Sequence, residues 1–322
     1  MATQEIDELF AQALRGDDDD DEPWEAVSAL RRIGTREVFD KAEKWCKSTD
    51  PLERARGVQV LAQLGRTAEH PSNNFPEESF IAISQMLAQE KDVRPLSSAI
   101  HALGHLDNSE AVPLIVAYHD HQAADVRFAV ACALGAFPNH PASVQSLLHL
   151  TSDVDHDVRD WAVFGLGVLG DSDSPEIRDA FVARLDDSFE DAREEAMVSL
   201  AKRKDQRVLP VLTEKLKAAQ DVRFTHDNSG YRGSLFNAGY GAGTERLDGH
   251  RLSHCTAKEI LTVIAWRRSQ SLEKNKSASL GNDNVFCLHP LRHIAECLHD
   301  QLRLIEMDPV RALGSDDVPP VL

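Results

Sequence analysis

The sequence predicts an all-α fold: a right-handed α-solenoid of stacked antiparallel helix pairs over residues 23–220, with an atypical segment over 221–322. Three observations carry that expectation. A short motif recurs as Asp92-Val93-Arg94, Asp125-Val126-Arg127, Asp157-Val158-Arg159 and Asp191-Ala192-Arg193, its arginines stepping by 33, 32 and 34 residues. Each copy runs into small residues at helical spacing, such as Ala99, Ala102 and Gly104, or Ala129, Ala133 and Gly135. Apolar residues make up 42% and charged residues 27% of the 322, a globular composition. A period near 33 marks one supersecondary unit that cannot bury its apolar face alone and stacks on its neighbours.

The elements follow in order. Residues 1–22, ending in the run Asp17-Asp18-Asp19-Asp20-Asp21-Glu22, read as an acidic, solvated tether. A first copy runs from Pro23-Trp24-Glu25 to Gly34, and a degenerate second from Asp50-Pro51-Leu52 through Arg56 to Gly65; with the four above, five to six repeats result. In each, the motif Asp is expected to be an N-cap, accepting from the free amides of the first turn. The small residues allow a neighbouring helix close approach, and Gly is expected at the C-cap. A second amphipathic helix follows over 111–116, 144–148, 177–185 and 208–212, with Pro113 and Pro210 in first turns that tolerate a missing amide hydrogen. Asp92, Arg94, Asp125, Arg127, Asp157, Arg159, Asp191 and Arg193 are read as structural, because a catalytic group occurs once and these recur. The arginines are expected to join adjacent repeats through carboxylates.

The pattern Asp-Val-Arg-x-x-Ala-x-x-Ala-Leu-Gly resembles the HEAT-like repeat of phycobilisome lyases. More closely, Asp157-Val158-Arg159-Asp160-Trp161-Ala162, Ile177-Arg178-Asp179-Ala180-Phe181-Val182 and Arg203-Lys204-Asp205-Gln206-Arg207-Val208-Leu209 are similar to bacterial YibA-type HEAT-repeat proteins, over about residues 20–220. The resemblance implies a scaffold of HEAT-like repeats and, as one specific form, a toxin-neutralising immunity protein. The alternative it implies is a lyase- or hydroxylase-type enzyme on the same repeats. Scaffold similarity does not transfer chemistry, and the His-Glu pairs that serve HEAT-like hydroxylases as iron ligands are absent from the 14 histidines.

Charge and chemistry narrow the function. Residues 1–220 hold 40 acidic and 23 basic side chains, residues 221–322 hold 13 and 12, and the whole chain carries −18. Such an excess repels phosphate backbones, so nucleic acid is not the expected partner. No apolar run reaches the ~18 residues of a membrane span, and the start lacks a secretory signal, so a cytoplasmic protein is expected. Five unpatterned cysteines predict no disulfide framework. His289, His293 and Cys297 share a helical stripe, but without a Cys-x-x-Cys clamp they are read as an amphipathic face; no metal, cofactor or catalytic residue is assigned. Trp161 and Phe164 are read as core.

The expectation is therefore a non-enzymatic scaffold that binds another protein, a basic one, on its concave face. The second helices are expected to line that face through Leu114, Tyr118, His121, Ser146, His149, Leu150, Ala183 and Arg184. The Gly-rich stretch after Asp221 ends the repeat pattern, and the tail reads either as a cap of two helices, 256–271 and 288–307, or as a segment out of its ancestral reading frame.

Overall fold

The computed structural model describes residues 3–15, 20–67, 69–212 and 214. The tail from 221, with its expected helices and His289, His293 and Cys297, lies outside the described residues. Those described are helical throughout. Helices α1 (Thr3–Ala13), α2 (Asp21–Ile33), α3 (Arg36–Trp45) and α4 (Pro51–Ala62) are followed by α5 (Pro76–Leu87), α6 (Val93–Gly104), α7 (Ala111–Val116) and α8 (Ala124–Leu134). Then come α9 (Pro141–Leu150), α10 (His156–Val163), a π-helical continuation Phe164–Leu169, α11 (Pro175–Arg184) and α12 (Glu190–Lys202). A 3₁₀ turn, Gln206–Val208, leads into helical residues 209–212 and 214, where the described chain ends.

Two layers result. The first helices α2, α4, α6, α8, α10 and α12 stack in sequence order, while α3, α5, α7, α9 and α11 form the outer layer of each pair. One continuous apolar core runs between the layers, from Ile6 and Phe10 through Leu61, Ile100 and Leu134 to Phe181 and Leu200. Consecutive first helices pack along their length, whereas consecutive second helices other than α7 and α9 barely touch.

The stack begins earlier than the sequence suggested. Residues 3–13 are helix, with Ile6, Phe10 and Ala13 buried and Phe10 edge-on to Trp45 at 4.7 Å. Asp21 and Glu22 are not tether but the first turn of α2, where carboxylates favour the helix dipole. Arg56 explains how α1 is held. Its buried guanidinium donates from Nε to the Ala13 carbonyl (3.0 Å) and lies 4.8 Å from the Trp24 ring centre.

Two expectations about caps are corrected. Asp125, Asp157 and Asp191 lie inside the first turn, two residues past the N-caps Ala123, Asp155 and Phe189, and Asp92, at an N-cap position, makes no side-chain cap bond. Gly34 closes α2 as a left-handed C-cap, as expected, whereas Gly135 stands at the C-cap of α8 with helical backbone (φ −59°); among the described residues the left-handed glycines are Gly34 and Gly65. What the repeat glycines supply is space. A Cβ at Gly104 would sit 2.8 Å from the Ala133 Cα, and one at Gly167 would collide with the Ser199 hydroxyl. Glycine there sets the distance between first helices, which is a packing requirement and not a cap.

Candidate functional site

The motif arginines take their role from the connections, not from the motif aspartates. Arg159 donates from Nε and Nη2 to Asp187 (2.8 Å each) and from Nη1 to the carbonyls of Asp153 (2.9 Å) and Val154 (3.2 Å). Arg127 repeats this with Asp153 (2.6 and 2.8 Å) and the carbonyls of His121 and Gln122. Arg54 does the same with Glu90 (2.6 and 3.0 Å) and the carbonyls of Ser48 and Thr49. Arg193 donates to the Asp187 carbonyl. Each acid also accepts from the N-cap amide two residues on: Asp92 to Glu90, Asp155 to Asp153, Phe189 to Asp187.

In the second copy the clamping arginine is Arg54, two residues before Arg56. Arg94 is likewise out of register, because position four of α6 is Leu96, buried, and the acid's place before α8 is taken by His121, whose Nδ1 accepts from the Ala123 amide (3.1 Å). The ladder of Arg–acid clamps is thus interrupted between α6 and α8. Burial by itself would push the Asp187 carboxyl up. Hydrogen bonds from Arg159 and the Phe189 amide, with the charges of Arg159 and Arg184, outweigh it and leave the group at about 2.

A second arginine acts on backbone alone. Arg203 donates to the carbonyls of Leu166, Gly167, Gly170, Ser172 and Ser199, and stacks 4.9 Å from the Phe181 ring. Lys202 adds bonds to the carbonyls of Val168 and Gly170. A π-helical segment offsets carbonyls from their usual amides, and these two side chains from α12 satisfy them.

The residues expected to line the binding face do not form one surface. Ser146 and Leu150 are 1% exposed and belong to the core, which removes them from any partner contact. Leu114, Tyr118, His121 and Arg184 are half-buried, and His149 and Ala183 are exposed. Tyr118 donates to the Leu87 carbonyl at 3.3 Å and Arg184 to Asp187 at 3.0 Å, so both are engaged within the stack. Around them Asp120 bridges His119 (3.2 Å) and His149 (2.8 Å), whose rings lie 5.0 Å apart, and His119 Nδ1 is 3.1 Å from Ser146 Oγ. Hydroxyl, imidazole and carboxylate are connected as in a nucleophile relay, but the Ser146 hydroxyl is sealed from any substrate. The network ties α7 to α9.

The face of the first helices carries a different pattern. On α8 the outward stripe is Asp125, Phe128 and Cys132; on α10 it is Asp157 and Trp161; on α6 it is Arg94, Ser97, His101 and His105. His101, Phe128 and Trp161 form a row across three helices, with ring centres 6.0 and 5.9 Å apart and edge-on geometry. Phe164 is core, as expected, and Trp161 is half-buried on this stripe while packing against the core, as Phe128 does. Burial holds the His101 imidazole down at about 4, so it is neutral near pH 7.

Residues 82–167 match the family of HEAT repeats. Protein YibA of Escherichia coli is 30% identical over 220 residues, which cover 66% of this chain and 74% of YibA. The chain belongs to the YibA family of HEAT-repeat proteins. The X-ray structure of Escherichia coli YibA superposes with a TM-score of 0.55 at 27% identity, over 66% of this chain and 75% of that one. The complex of CpcE and CpcF, the phycocyanin lyase of Nostoc, aligns at 18% identity with a TM-score of 0.36, over 66% of this chain and 81% of that one.

Proposed function

We propose that this protein is a non-enzymatic scaffold that captures a basic protein, and that its working surface is the layer of first helices. A stack of helix pairs bends toward its more closely packed layer, and here the first helices pack along their length while the second helices splay. That packing is the observation that supports the reading, in which the concave side belongs to the first helices and not to the second helices that the sequence pattern suggested. The charge of −18 supports a basic partner, whose capture it would accelerate. Neutralisation of a toxin is the specific form that the family resemblance suggests.

The test is binding kinetics between the purified chain and the product of its neighbouring gene at two salt concentrations. Screening over about 10 Å at 0.1 M should slow capture more than it speeds escape. A salt-independent association, or turnover of a bilin or hydroxylase substrate by the purified chain, would replace the reading with the enzymatic alternative.

A further inference from the structure

We infer that α8 and α10 together form a two-seat site for arginine or lysine side chains of an extended basic segment, built from Asp125 with Phe128 and Asp157 with Trp161. The inference deepens the proposed function and rests on it. Each pair places an exposed carboxylate one helical turn ahead of a half-buried ring on the same stripe, at i and i+3 in α8 and i and i+4 in α10. A guanidinium lying on such a ring while pairing with the carboxylate gains both a cation–π contact and a charge-assisted hydrogen bond.

Charge bookkeeping on these helices favours a cationic occupant. The two arginines of α8 and α10, Arg127 and Arg159, are turned into the connections and neutralised by Asp153 and Asp187. They leave Asp125 and Asp157 as the exposed carboxylates beside the rings; His156, 3.2 Å from Asp157, is stacked on Phe189 at 4.5 Å. Spacing favours an extended segment. The Phe128 and Trp161 centres are 5.9 Å apart, close to the roughly 7 Å between same-side residues of an extended chain. The row ends on α6 at His101, whose ring is neutral.

The experiment uses the full chain and a fluorescent octapeptide of alternating Arg and Ser, with a Glu–Ser octapeptide as control, read by anisotropy at low salt. Expected is binding of the basic peptide alone, weakened about fivefold by Trp161→Ala or Phe128→Ala. The double variant Asp125→Asn/Asp157→Asn, whose exposed positions spare the fold, should weaken it about tenfold. Asp120→Asn on the second-helix side should leave it unchanged. Basic-peptide binding that ignores the Asp125/Asp157 double variant overturns the site while leaving the basic-partner reading intact. Failure of the wild-type chain to prefer the basic peptide overturns both.

Discussion

Removing one rung of the ladder measures what the repeat motif is for. Arg159→Leu leaves Asp187, whose side chain is 2% exposed, with Arg184 and the Phe189 amide but without the two bonds from Arg159. The carboxyl stands at about 2 against its ordinary 3.8, and since a tenfold change in proton affinity is worth about 1.4 kcal/mol the ionised form is favoured by roughly 2 kcal/mol on folding. Stranding a buried charge adds to that, so a loss of about 3 kcal/mol is expected. Because the folded value is depressed, this stabilisation is present above about pH 4 and disappears as pH falls toward 2. The junction between α6 and α8, with Leu96 and His121 in the two places, supplies a natural replacement. Arg159→Leu/Asp187→His should therefore lose less than its two single changes combined, by about 2 kcal/mol. Urea denaturation followed by circular dichroism at pH 7 gives all four values. A coupling near zero, or an Arg159→Leu loss below about 1 kcal/mol, would show that the ladder is decoration on a stack held by its core alone.

Other outcomes follow from the same packing. Gly104→Ala should lower stability by about 1–2 kcal/mol, since its Cβ meets the Ala133 backbone, while Gly135→Ala, with only 3.1 and 3.5 Å contacts, should be neutral or gain up to about 1 kcal/mol from helix propensity; equal melting temperatures would refute the spacing argument. Arg203→Gln should cost about 3 kcal/mol by orphaning carbonyls of the π-helical segment, and Arg203→Lys should not restore it, because an ammonium lacks the planar fork. Burial lowers His101 to about 4 and His105 to about 3, so the unfolded chain binds protons first. Stability should therefore fall as pH drops from about 6.5 toward 4, and His101→Gln should flatten that slope in denaturation curves measured at pH 7 and 5.

The candidate site was less legible than the fold. Trp161 stood out in the sequence, but a helix stripe of small and aromatic residues reads the same whether it meets a partner or a core. Phe164, three residues on, is core, and Trp161 is half-buried on the outward stripe. The same ambiguity placed Ser146 and Leu150 on a binding face, although both are sealed between α9 and its neighbours. Amphipathic period identifies an apolar side; it does not say how many sides a helix buries once it has three neighbours.

By itself the sequence determined the repeat, its helical pairs and the acid excess, because each copy must meet the same local demands of turn, helix and small-residue approach. Recurrence of Arg127, Arg159 and Arg193 was enough to mark them as structural. Only the tertiary structure decided the carboxylates that Arg54, Arg127 and Arg159 meet, since Glu90, Asp153 and Asp187 lie in the connections leading to the following repeat. It alone also showed that Leu96 and His121 replace a rung, that the glycines regulate helix spacing, and that the first helices are the closer-packed layer. These are relations between segments some thirty residues apart, and such relations arise from stacking, not from the local backbone preferences that a sequence displays.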